Sequence, residues 1–581
     1  MDSPFALDEE IVRTEQHLLS LRQRKNREAL TIRLPLEVLA HIFSFLSASN
    51  WPAHRMITKP PTWLSVTHVC RHWRDTALSF PSLWSEIVLT NKNWMYETLE
   101  RSKDVSISLQ YSLSREWALE ALSQIHRTRQ LTILDDTLTS VYIPRILDQP
   151  APLLEIIWLK SNFLYPKTPA SDLRELKLFA GVVPNLHTLR LENCIISPES
   201  PLIHPNLTSL SLISLPPQSR FTKHGLLDIL RVLPRLEELT LTHVLPITGR
   251  SGYSQPKPSE TPLELPAMKQ LCVTSHSDKD IAIFMWRLSI PVNASVRFQL
   301  GSLFFEEAAL NHQAGGDAEE GGQDLTSADG PDADNIDMAD VQDEQDSTPR
   351  PSASLELPLI VQVIRSHILS STGSPRDGAS PVRSLALHNL LGYSYYFSSH
   401  AFQDTIELRP NDTSPWPSTL SLLAEPLKTE EEGRQHFTLL TEMLPLSDLH
   451  SLYLDSDLFL GRSDWESIFA GSTQITRIVA RRLDAHGVIR ALKLSLQHPA
   501  LFPNLAHLTL GDIRLDRETM MIIASALYDR QRHSMPLRSL RLERCDVTSA
   551  YVDYLGQFVL DRTVGWDEEE KGWSEWLESV A

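Results

Sequence analysis

The sequence predicts an α/β protein in which a small helical N-terminal region precedes a long array of short strands in a parallel sheet. Three observations support this prediction. Leucines recur in a fixed short pattern along most of the chain, and proline often introduces that pattern. An apolar stretch and a Trp-containing segment, both within the first 90 residues, precede the pattern. With 581 residues and 42% hydrophobic content, the chain is long enough to form several domains.

Residues 34–46 are predicted to form a short helix. Pro35 suits the first helical position, where a missing N–H is no loss, and Glu37 in the first turn favours the helix dipole. The apolar residues cover more than one side of this helix: Leu36, Val38, Leu39, Ile42, Phe43, Phe45 and Leu46. Because a small core needs only one apolar stripe, we expect the surplus surface to meet a partner.

A second helix is predicted over residues 64–78, and a segment with Pro81 and Trp84 ends it. Its apolar residues follow the spacing of one helical face: Val66, Val69, Cys70, Trp73 and Ala77. Two histidines next to Cys70 suggest metal ligands at first sight. Cys70 falls on the apolar face, however, and points away from His68, so we predict a core cysteine and no metal site.

Together these pieces resemble an F-box of the fungal type, whose second half is typically rich in Trp. The matching pieces are Leu34-Pro35-x-Glu37-Val38-Leu39-x-x-Ile42-Phe43-Ser44-x-Leu46, Val69-Cys70-Arg71-x-Trp73-Arg74 and Pro81-x-Leu83-Trp84. The loop at residues 47–63 is longer than in the usual compact motif. The resemblance implies an F-box over residues 32–90 that docks on the Skp-type adaptor of an SCF-type cullin–RING ubiquitin ligase. It also implies adaptor contacts or their immediate supports at Leu34, Pro35, Val38, Ile42, Trp73, Leu83 and Trp84.

The recurring pattern in the rest of the chain is Leu-x-x-Leu-x-Leu, the strand pattern of leucine-rich repeats. Copies begin at Leu154, Leu173, Leu186, Leu207, Leu236, Met268, Val382, Leu449, Leu505 and Leu537, with a degenerate copy at Ile475. Since no single repeat can bury its apolar face, neighbours must stack. We predict an irregular solenoid, a horseshoe with a parallel sheet, over residues 91–310 and 357–560. The copy at Leu173 begins too close to the next for a full repeat, and ordinary strands of an α/β domain are the alternative.

The residue between the last two leucines of each copy should line the concave face of such a sheet. This row comprises Trp158, Lys177, Arg190, Ser211, Thr240, Cys272, Ala386, Tyr453, Thr509 and Arg541. Its mixed character suits a protein or peptide better than a nucleic acid. The candidate target-binding residues are Trp158, Lys177, Arg190, Tyr453 and Arg541, with a merely solvated sheet face as the alternative.

Three flanking segments complete the predicted organisation. Residues 1–31 form a charged helix with Leu7, Ile11, Leu18 and Leu21 at roughly helical spacing. We favour a single helix packed on the next domain over a coiled coil or dimer contact. Residues 311–356 form an acidic disordered insert, either a tolerated insertion or a contact for a basic partner or a tether. Residues 561–581 form a Trp-rich helix that caps the last repeat or docks a partner.

The net charge is −19, and residues 311–349 alone carry 12 acidic residues and no Lys or Arg. This charge argues against binding to nucleic acid or to an anionic membrane. No apolar run is long enough to span a membrane. The polar N-terminus and four distant cysteines predict a location in the cytoplasm, the nucleus or both.

No catalytic, cofactor or metal motif is recognised, so we expect no active site. The leading hypothesis is a substrate receptor that docks on the adaptor and binds an unidentified target protein. The alternatives are an adaptor-bound scaffold without a role in ubiquitination and an α/β enzyme whose strands resemble repeats.

Overall fold

The structure of the chain is a computed structural model that describes most of its residues. The described residues are 4–28, 34–48, 62–88, 92–112, 117–134, 147–161, 171–246 without 175 and 217–218, 261–300 without 276, 383–402 without 392–393, 420–423, 438, 441, 444, 446–455, 460–494 and 500–567 without 563. The chain divides into two compact units. The first comprises residues 1–244 with 265–268, and the second comprises residues 245–264 with 269–581.

The first unit begins with helices. They are α1 (Pro4–Glu28), α2 (Leu36–Ala48), a 3-10 helix (Thr62–His68), α3 (Arg71–Ser79) and a 3-10 turn (Pro81–Trp84). Strands then alternate with short helical segments: β1 (Glu86–Val88), α4 (Lys92–Ser102), β2 (Ile107–Ser112), α5 (Ala118–Leu122), a 3-10 helix (Ser123–Arg127), β3 (Thr128–Leu134), β4 (Ile156–Lys160), β5 (Ser171–Asp172), a 3-10 helix (Leu178–Gly181), β6 (Thr188–Glu192), β7 (Cys194–Ile195), β8 (Ser209–Ile213), α6 (Lys223–Arg231) and β9 (Glu238–Thr242).

The main sheet of the first unit is parallel, in the order β1, β2, β3, β4, β6, β8 and β9. Apolar residues lie opposite one another across neighbouring strands: Ile87, Leu109, Leu131, Ile157, Leu189, Leu210 and Leu239. Each of these side chains is buried, whereas the residues between them on β4, β6 and β8 are half-buried. The alternation of leucines therefore fixes which face of each strand enters the core.

Several strands end in the same sharp corner. The residue immediately after the strand has positive φ, as in Asn193 (54°) after β6, Ser214 (60°) after β8 and His243 (52°) after β9. The backbone N–H groups of Asn193 and Ser214 each donate to the last carbonyl of the next strand, at 2.8 Å. The corner thus adds one backbone hydrogen bond beyond each of these two strands and pairs the backbone N–H of its first residue.

The second unit contains its own strands and helices. They are β10 (Leu263–Glu264), β11 (Gln270–Ser275), α7 (Asp278–Met285), β12 (Leu288–Ser289), β13 (Ser295–Leu300), β14 (Ser384–Leu391), β15 (Ser394–Phe402), β16 (Leu420–Leu423), a 3-10 turn (Leu446–Asp448), β17 (Ser451–Asp455), α8 (Arg462–Phe469), β18 (Arg477–Arg481), α9 (Arg482–Leu492), β19 (His507–Gly511), α10 (Arg517–Arg532), β20 (Ser539–Glu543), α11 (Ser549–Gly556) and β21 (Val564–Trp566).

Strands β14, β17, β18, β19, β20 and β21 of the second unit are parallel neighbours in that order. Strand β15 lies antiparallel between β14 and β16, and β16 and β11 are parallel partners of β13. An aromatic cluster of Trp465 and Phe469 on α8 with Phe502 fills the core beside these strands, with ring centroids 5.3 to 6.0 Å apart. Asp516 caps α10 by accepting from the Thr519 N–H at 2.8 Å.

A mixed α/β fold with a helical N-terminal region and a large parallel sheet is confirmed. The antiparallel strand β15 was not predicted. Most copies of the leucine pattern coincide with strands of a main sheet, but the copy at Leu173 does not. There, β5 pairs with β7 and with no other strand among the described residues, and the segment ends in a 3-10 helix in which Phe179 and Ala180 have positive φ. This turn removes residues 173–178 from the main sheet.

The single helix predicted over residues 64–78 is wrong. A 3-10 helix ends at His68, and Cys70 is extended before α3 begins. Val69 is consequently 58% exposed, and Cys70 is half-buried rather than a core residue. At the C-terminus, Trp566 lies on strand β21 and not on a helix. The predicted insert at 311–356 and residues 568–581 lie outside the described residues.

Candidate functional site

Helix α2 buries one side in a core that is rich in tryptophan. Leu39 and Phe43 on this side are each 1% exposed. They pack into one cluster with Trp63, Val66, Ala77, Leu83 and Trp84. The Trp84 indole N–H donates to the Ala77 carbonyl at 2.9 Å, and its ring meets that of Trp63 edge to face at 5.2 Å. Because the indole N–H is paired, Trp84 can be buried without leaving an unpaired donor.

The other side of α2 is apolar and open to solvent. Val38, Ile42 and Phe45 follow one another at spacings of four and three residues and are 45%, 44% and 65% exposed. Leu36 and Leu46 are also exposed apolar residues on this helix. Single exposed apolar residues are common, but a contiguous set on one helix marks an interaction surface. We call the four residues Val38, Ile42, Phe45 and Leu46 the outer face of α2.

The structure divides the seven predicted adaptor-binding residues into two groups. Pro35, Val38 and Ile42 are exposed, so they are available for direct contact. Four residues belong to the core or pack against it: Leu34, Trp73, Leu83 and Trp84. They are placed to support α2 rather than to touch a partner.

Sequence reasoning did not select Phe45 and Leu46, although both follow Ile42 by one helical turn. That helical spacing could have identified both residues as neighbours of Ile42 on the surface of α2.

The helical region continues into the sheet without a linker. Trp84 also contacts Trp94 of α4, at 5.7 Å between ring centroids, and the Arg101 guanidinium lies 4.8 Å from its ring centroid. Strand β1 starts two residues after Trp84 and pairs with β2. One set of contacts therefore holds α2, α4 and the first strands together.

Glu86 on β1 is half-buried beside this junction, and among the described residues it has no ion-pair partner. Burial raises the pKa of the Glu86 carboxyl from 4.5 to about 7. The acid is therefore largely protonated at mildly acidic pH and charged above neutrality.

Two of the predicted target-binding residues meet on the polar face of the first sheet. Trp158 of β4 and Arg190 of β6 are directly opposite in register, and the guanidinium lies 4.5 Å from the indole centroid. Glu192 accepts from Lys160 at 2.6 Å and lies 3.8 Å from Arg190. The indole and the guanidinium form a half-buried platform, with Ser211 on the neighbouring strand.

The other predicted target-binding residues are placed differently. Lys177 is exposed but lies outside the main sheet, so its assignment to the row is wrong. Tyr453 is on the polar face of the second sheet, yet it is only 1% exposed, and burial raises the pKa of its phenol to about 12. It cannot contact a partner in this structure. Arg541 is exposed and pairs with Glu543 at 3.1 Å.

The remaining members of the predicted row are half-buried residues of the two sheets: Ser211, Thr240, Cys272 and Thr509. Ala386 pairs with Tyr453 through the backbone register.

A charged network that the sequence did not reveal occupies the end of the second sheet. The Arg481 side chain is 1% exposed and donates to Asp512 at 2.9 Å and to Glu543 at 2.5 Å. It reaches Glu543 by crossing Gly511, where a Cβ would lie 3.1 Å from its Cγ. Arg544 also binds Asp512, at 2.6 Å. Two carboxylates therefore neutralise the buried guanidinium.

The described cysteines at Cys194 and Cys545 are poor nucleophiles. Burial raises the pKa of the Cys194 thiol to about 12 and that of Cys545 to about 11. Each thiol donates to the last backbone carbonyl of the preceding strand, at 3.3 Å from Cys194 to Glu192 and at 3.4 Å from Cys545 to Glu543. Both thiols therefore remain protonated at neutral pH and act as small buried hydrogen-bond donors.

Within the described ranges, no three His, Cys, Asp or Glu residues are grouped so that they could hold a metal ion. No helix in the described part of the chain is long and apolar enough to cross a membrane.

Comparison with protein families identifies a known domain type in the helical region. An F-box-like family model matches residues 31–90, which include α2, α3 and the turn at Pro81–Trp84. No curated protein matches the chain significantly. The match agrees with the resemblance seen in the sequence and places the outer face of α2 inside the matched region. The chain therefore contains an F-box-like domain.

Proposed function

We propose that this chain is the substrate-recognition subunit of an SCF-type ubiquitin ligase and docks on its Skp-type adaptor through the outer face of α2. One observation carries the proposal: the F-box-like domain leaves this face apolar and exposed while it buries the opposite side of the helix. F-box domains bind Skp-type adaptors, and an apolar helix face that exceeds the needs of its own core suits such an interface. Pro35, Val38 and Ile42 make direct contacts, and Trp73, Leu83 and Trp84 hold the helix in place.

The strands behind this domain are proposed to be leucine-rich repeats. Their support is the recurrence of one unit: a strand with buried alternate leucines, followed by a residue with positive φ. The same unit occurs in the second unit at Arg482, Asp512 and Arg544. Stacked repeats present their polar strand positions side by side. We assign target binding to this face, with Trp158 and Arg190 in the first sheet and Arg541 in the second.

On this proposal the chain supplies no catalytic group and no cofactor. It holds a target protein close to the catalytic subunits of the ligase and converts their encounter into an intramolecular one. A function in the cytoplasm or nucleus follows, because the ligase has to be reached there. The target and any modification that it carries stay open.

The docking test uses the full chain with Ile42→Glu and Phe45→Glu together. Both side chains are exposed, so the fold should survive while two apolar contacts are replaced by carboxylates. A central interface residue costs about 2 kcal/mol or more when it is lost, so we expect each of the two substitutions to lower adaptor affinity by at least about 30-fold. Binding is measured by calorimetry with purified adaptor, and the variant's thermal unfolding is compared with that of the wild type.

The matched control is Met521→Glu, which introduces a carboxylate at a 51% exposed apolar residue of α10. It should leave adaptor binding unchanged. A folded Ile42→Glu and Phe45→Glu variant that still binds the adaptor fully would overturn the proposed interface. If the adaptor binds but no protein becomes more abundant when the chain is removed from cells, the chain is a scaffold and not a receptor.

A further inference from the structure

Helix α1 carries a row of apolar residues that the described part of its own chain does not cover. It is a 25-residue helix, Pro4–Glu28, and every side chain that the structure describes on it is exposed. Ile11, Leu18 and Leu21 are 53%, 46% and 44% exposed. The preferred sequence interpretation, a helix packed on the next domain, is therefore wrong for the described residues. Since packing of an apolar face supplies most of the stability of a helix in water, α1 needs a surface that the single chain does not provide.

The spacing of these residues suits a two-helix coiled coil. Ile11, Thr14, Leu18, Leu21 and Lys25 are separated alternately by three and four residues, so they form one seam. Two further apolar residues, Val12 and Leu19, each follow a seam residue directly and are turned about 100° away from it. The seam is short and contains Thr14 and Lys25, which favours a reversible contact over a permanent one.

The charges of α1 indicate what lies opposite this seam. Most acidic residues lie in its first half, and most basic residues lie in its second half: Asp8, Glu9, Glu10 and Glu15 with one Arg13 among them, then Arg22, Arg24, Lys25 and Arg27 followed by one Glu28. In a parallel pair, Glu10 would face Glu15 of the second helix, which is repulsive. In an antiparallel pair, Glu15 faces Glu15 of the second helix once at the centre, but elsewhere the mainly acidic half of each helix faces the mainly basic half of the other. One copy of α1 is thus the charge complement of another copy in reverse.

We propose that α1 forms an antiparallel pair with α1 of a second copy of this chain. Ile11 of one copy packs against Leu21 of the other, and Leu18 packs against Thr14. Asp8 faces Arg22, and Glu10 faces Arg24, on each side of the seam. Because the two helices run in opposite directions, their C-terminal ends lie about 37 Å apart. The two F-box-like domains, which follow those ends, are therefore held at opposite ends of the pair.

The first experiment compares the same substitution at two adjacent leucines of the full chain. Leu18→Glu places a carboxylate in the seam, whereas Leu19→Glu places it outside, and the wild-type residues are similarly exposed. Mass is measured by sedimentation equilibrium over about a hundredfold concentration range. We expect wild type and Leu19→Glu to move together from the mass of one chain toward that of two. Leu18→Glu should weaken dimerisation at least about tenfold, and circular dichroism should confirm that both variants are folded.

The second experiment tests the direction of the pair. Asp8→Arg with Glu10→Arg makes both halves of α1 basic, and Arg22→Glu with Arg24→Glu makes both halves acidic. Each variant alone should be monomeric, and a mixture of the two should form a mixed dimer, which differently sized fusion tags make visible. In a parallel pair, the arginine introduced by Glu10→Arg would instead attract Glu15, and the first variant would dimerise more strongly than the wild type.

Three results would overturn the proposal. They are a wild-type chain that stays monomeric throughout the concentration range, equal effects of Leu18→Glu and Leu19→Glu, and a mixture of the charge variants that forms no dimer. If the mixture of charge variants forms no dimer, the arrangement of acidic residues before basic residues in α1 would be explained by its own helix dipole. The dipole favours acidic residues near the N-terminus and basic residues near the C-terminus of a single helix. None of these outcomes depends on adaptor binding, because α1 lies outside the matched region at residues 31–90.

Discussion

The strands of the two units end in the same corner, but the two units bury charge in opposite ways. In the first unit, the corner residue after β6 is Asn193, and the thiol of the next residue, Cys194, donates to the last carbonyl of β6. In the second unit, the corner residue after β20 is Arg544, and the thiol of Cys545 donates to the last carbonyl of β20 in the same way. The first unit buries an acid, Glu86, without a cationic partner among the described residues. The second buries a base, Arg481, between two carboxylates. The buried charges of the two units thus differ although the corner is shared, and the neighbours of each charge decide whether it stabilises the sheet.

The largest effect should come from removing the paired charge. Arg481→Leu removes the cation that Asp512 and Glu543 share. Breaking a buried pair costs about 3–5 kcal/mol, and we expect the lower end, about 3 kcal/mol, because Asp512 keeps Arg544 and Glu543 keeps Arg541. We expect a matching loss in the free energy of unfolding of the second unit, measured by urea denaturation.

Arg190→Leu is the matched control for this prediction, because Arg190 is a half-buried arginine on the first sheet. It should cost less than about 1 kcal/mol. Equal losses for Arg190→Leu and Arg481→Leu would show that the network at Arg481 contributes nothing beyond an ordinary surface pair.

Removing the charge of Glu86 should raise the free energy of unfolding, whereas removing Arg481 lowers it. The Glu86 pKa is raised to about 7 in the folded protein, against 4.5 without burial. The folded state therefore holds the proton more tightly, and its stability falls as pH rises from about 4.5 to 7. Glu86→Gln removes this dependence. It should stabilise the first unit by about 2 kcal/mol at pH 8, after allowance for partial exposure, and by almost nothing at pH 4.

The measurement for Glu86 is the unfolding temperature of the wild type and of Glu86→Gln across this pH range.

The stability of the second unit should depend on pH in the acidic range, through Asp512. Burial of Asp512 favours its neutral form, but hydrogen bonds and charge from Arg544 and Arg481 lower its pKa overall. The stability that Asp512 contributes is therefore present above its ordinary value of 3.8 and is lost as pH falls below it. A Glu86→Gln variant with unchanged pH dependence would contradict the first half of this comparison.

The smallest effect should come from the glycine that Arg481 crosses. A Cβ at Gly511 would lie 3.1 Å from the Arg481 Cγ and 3.4 Å from the Glu543 carbonyl, so Gly511→Ala must shift the arginine. We expect a loss of about 1–2 kcal/mol in the free energy of unfolding.

In an Arg481→Leu background, the cost of Gly511→Ala should change, because the two sites touch. Gly471→Ala, where nothing lies within 4 Å of the added Cβ, should be close to neutral. Strict additivity of Gly511→Ala and Arg481→Leu would be incompatible with the described contact.

The sequence was sufficient to predict the parts of the fold that repeat. Because the period of two is a property of the strand itself, alternate apolar residues identified β4, β6, β8, β9, β11, β14, β17, β19 and β20, and the degenerate copy identified β18. The apolar surplus on α2 was equally visible, since helical spacing assigns Leu39 and Phe43 to one side and Ile42 to another. Local patterns therefore carried both the sheet and the face proposed for docking.

Features that depend on register or on a single turn were not predictable. The reach of Arg481 to Glu543 requires that β18, β19 and β20 align with Gly511 between them, and 62 residues separate the two ends. Neither Gly nor Pro marks the break at Cys70, so the apolar spacing there suggested one continuous helix. Tyr453 was assigned to an open face because its strand position is correct, whereas its burial is set by residues elsewhere in the chain.

The short strand β1 has a mechanical consequence. It follows Trp84 with only Ser85 between them, and it is hydrogen-bonded to β2 across three register pairs. A bend at this point would have to break both the β1–β2 pairing and the packing of Trp84. We therefore expect α2 and the first strands to move as one rigid body. A protein seated on the first sheet would then be presented at a set angle from whatever holds α2. Inserting flexible residues after Ser85 would release that angle without altering either surface.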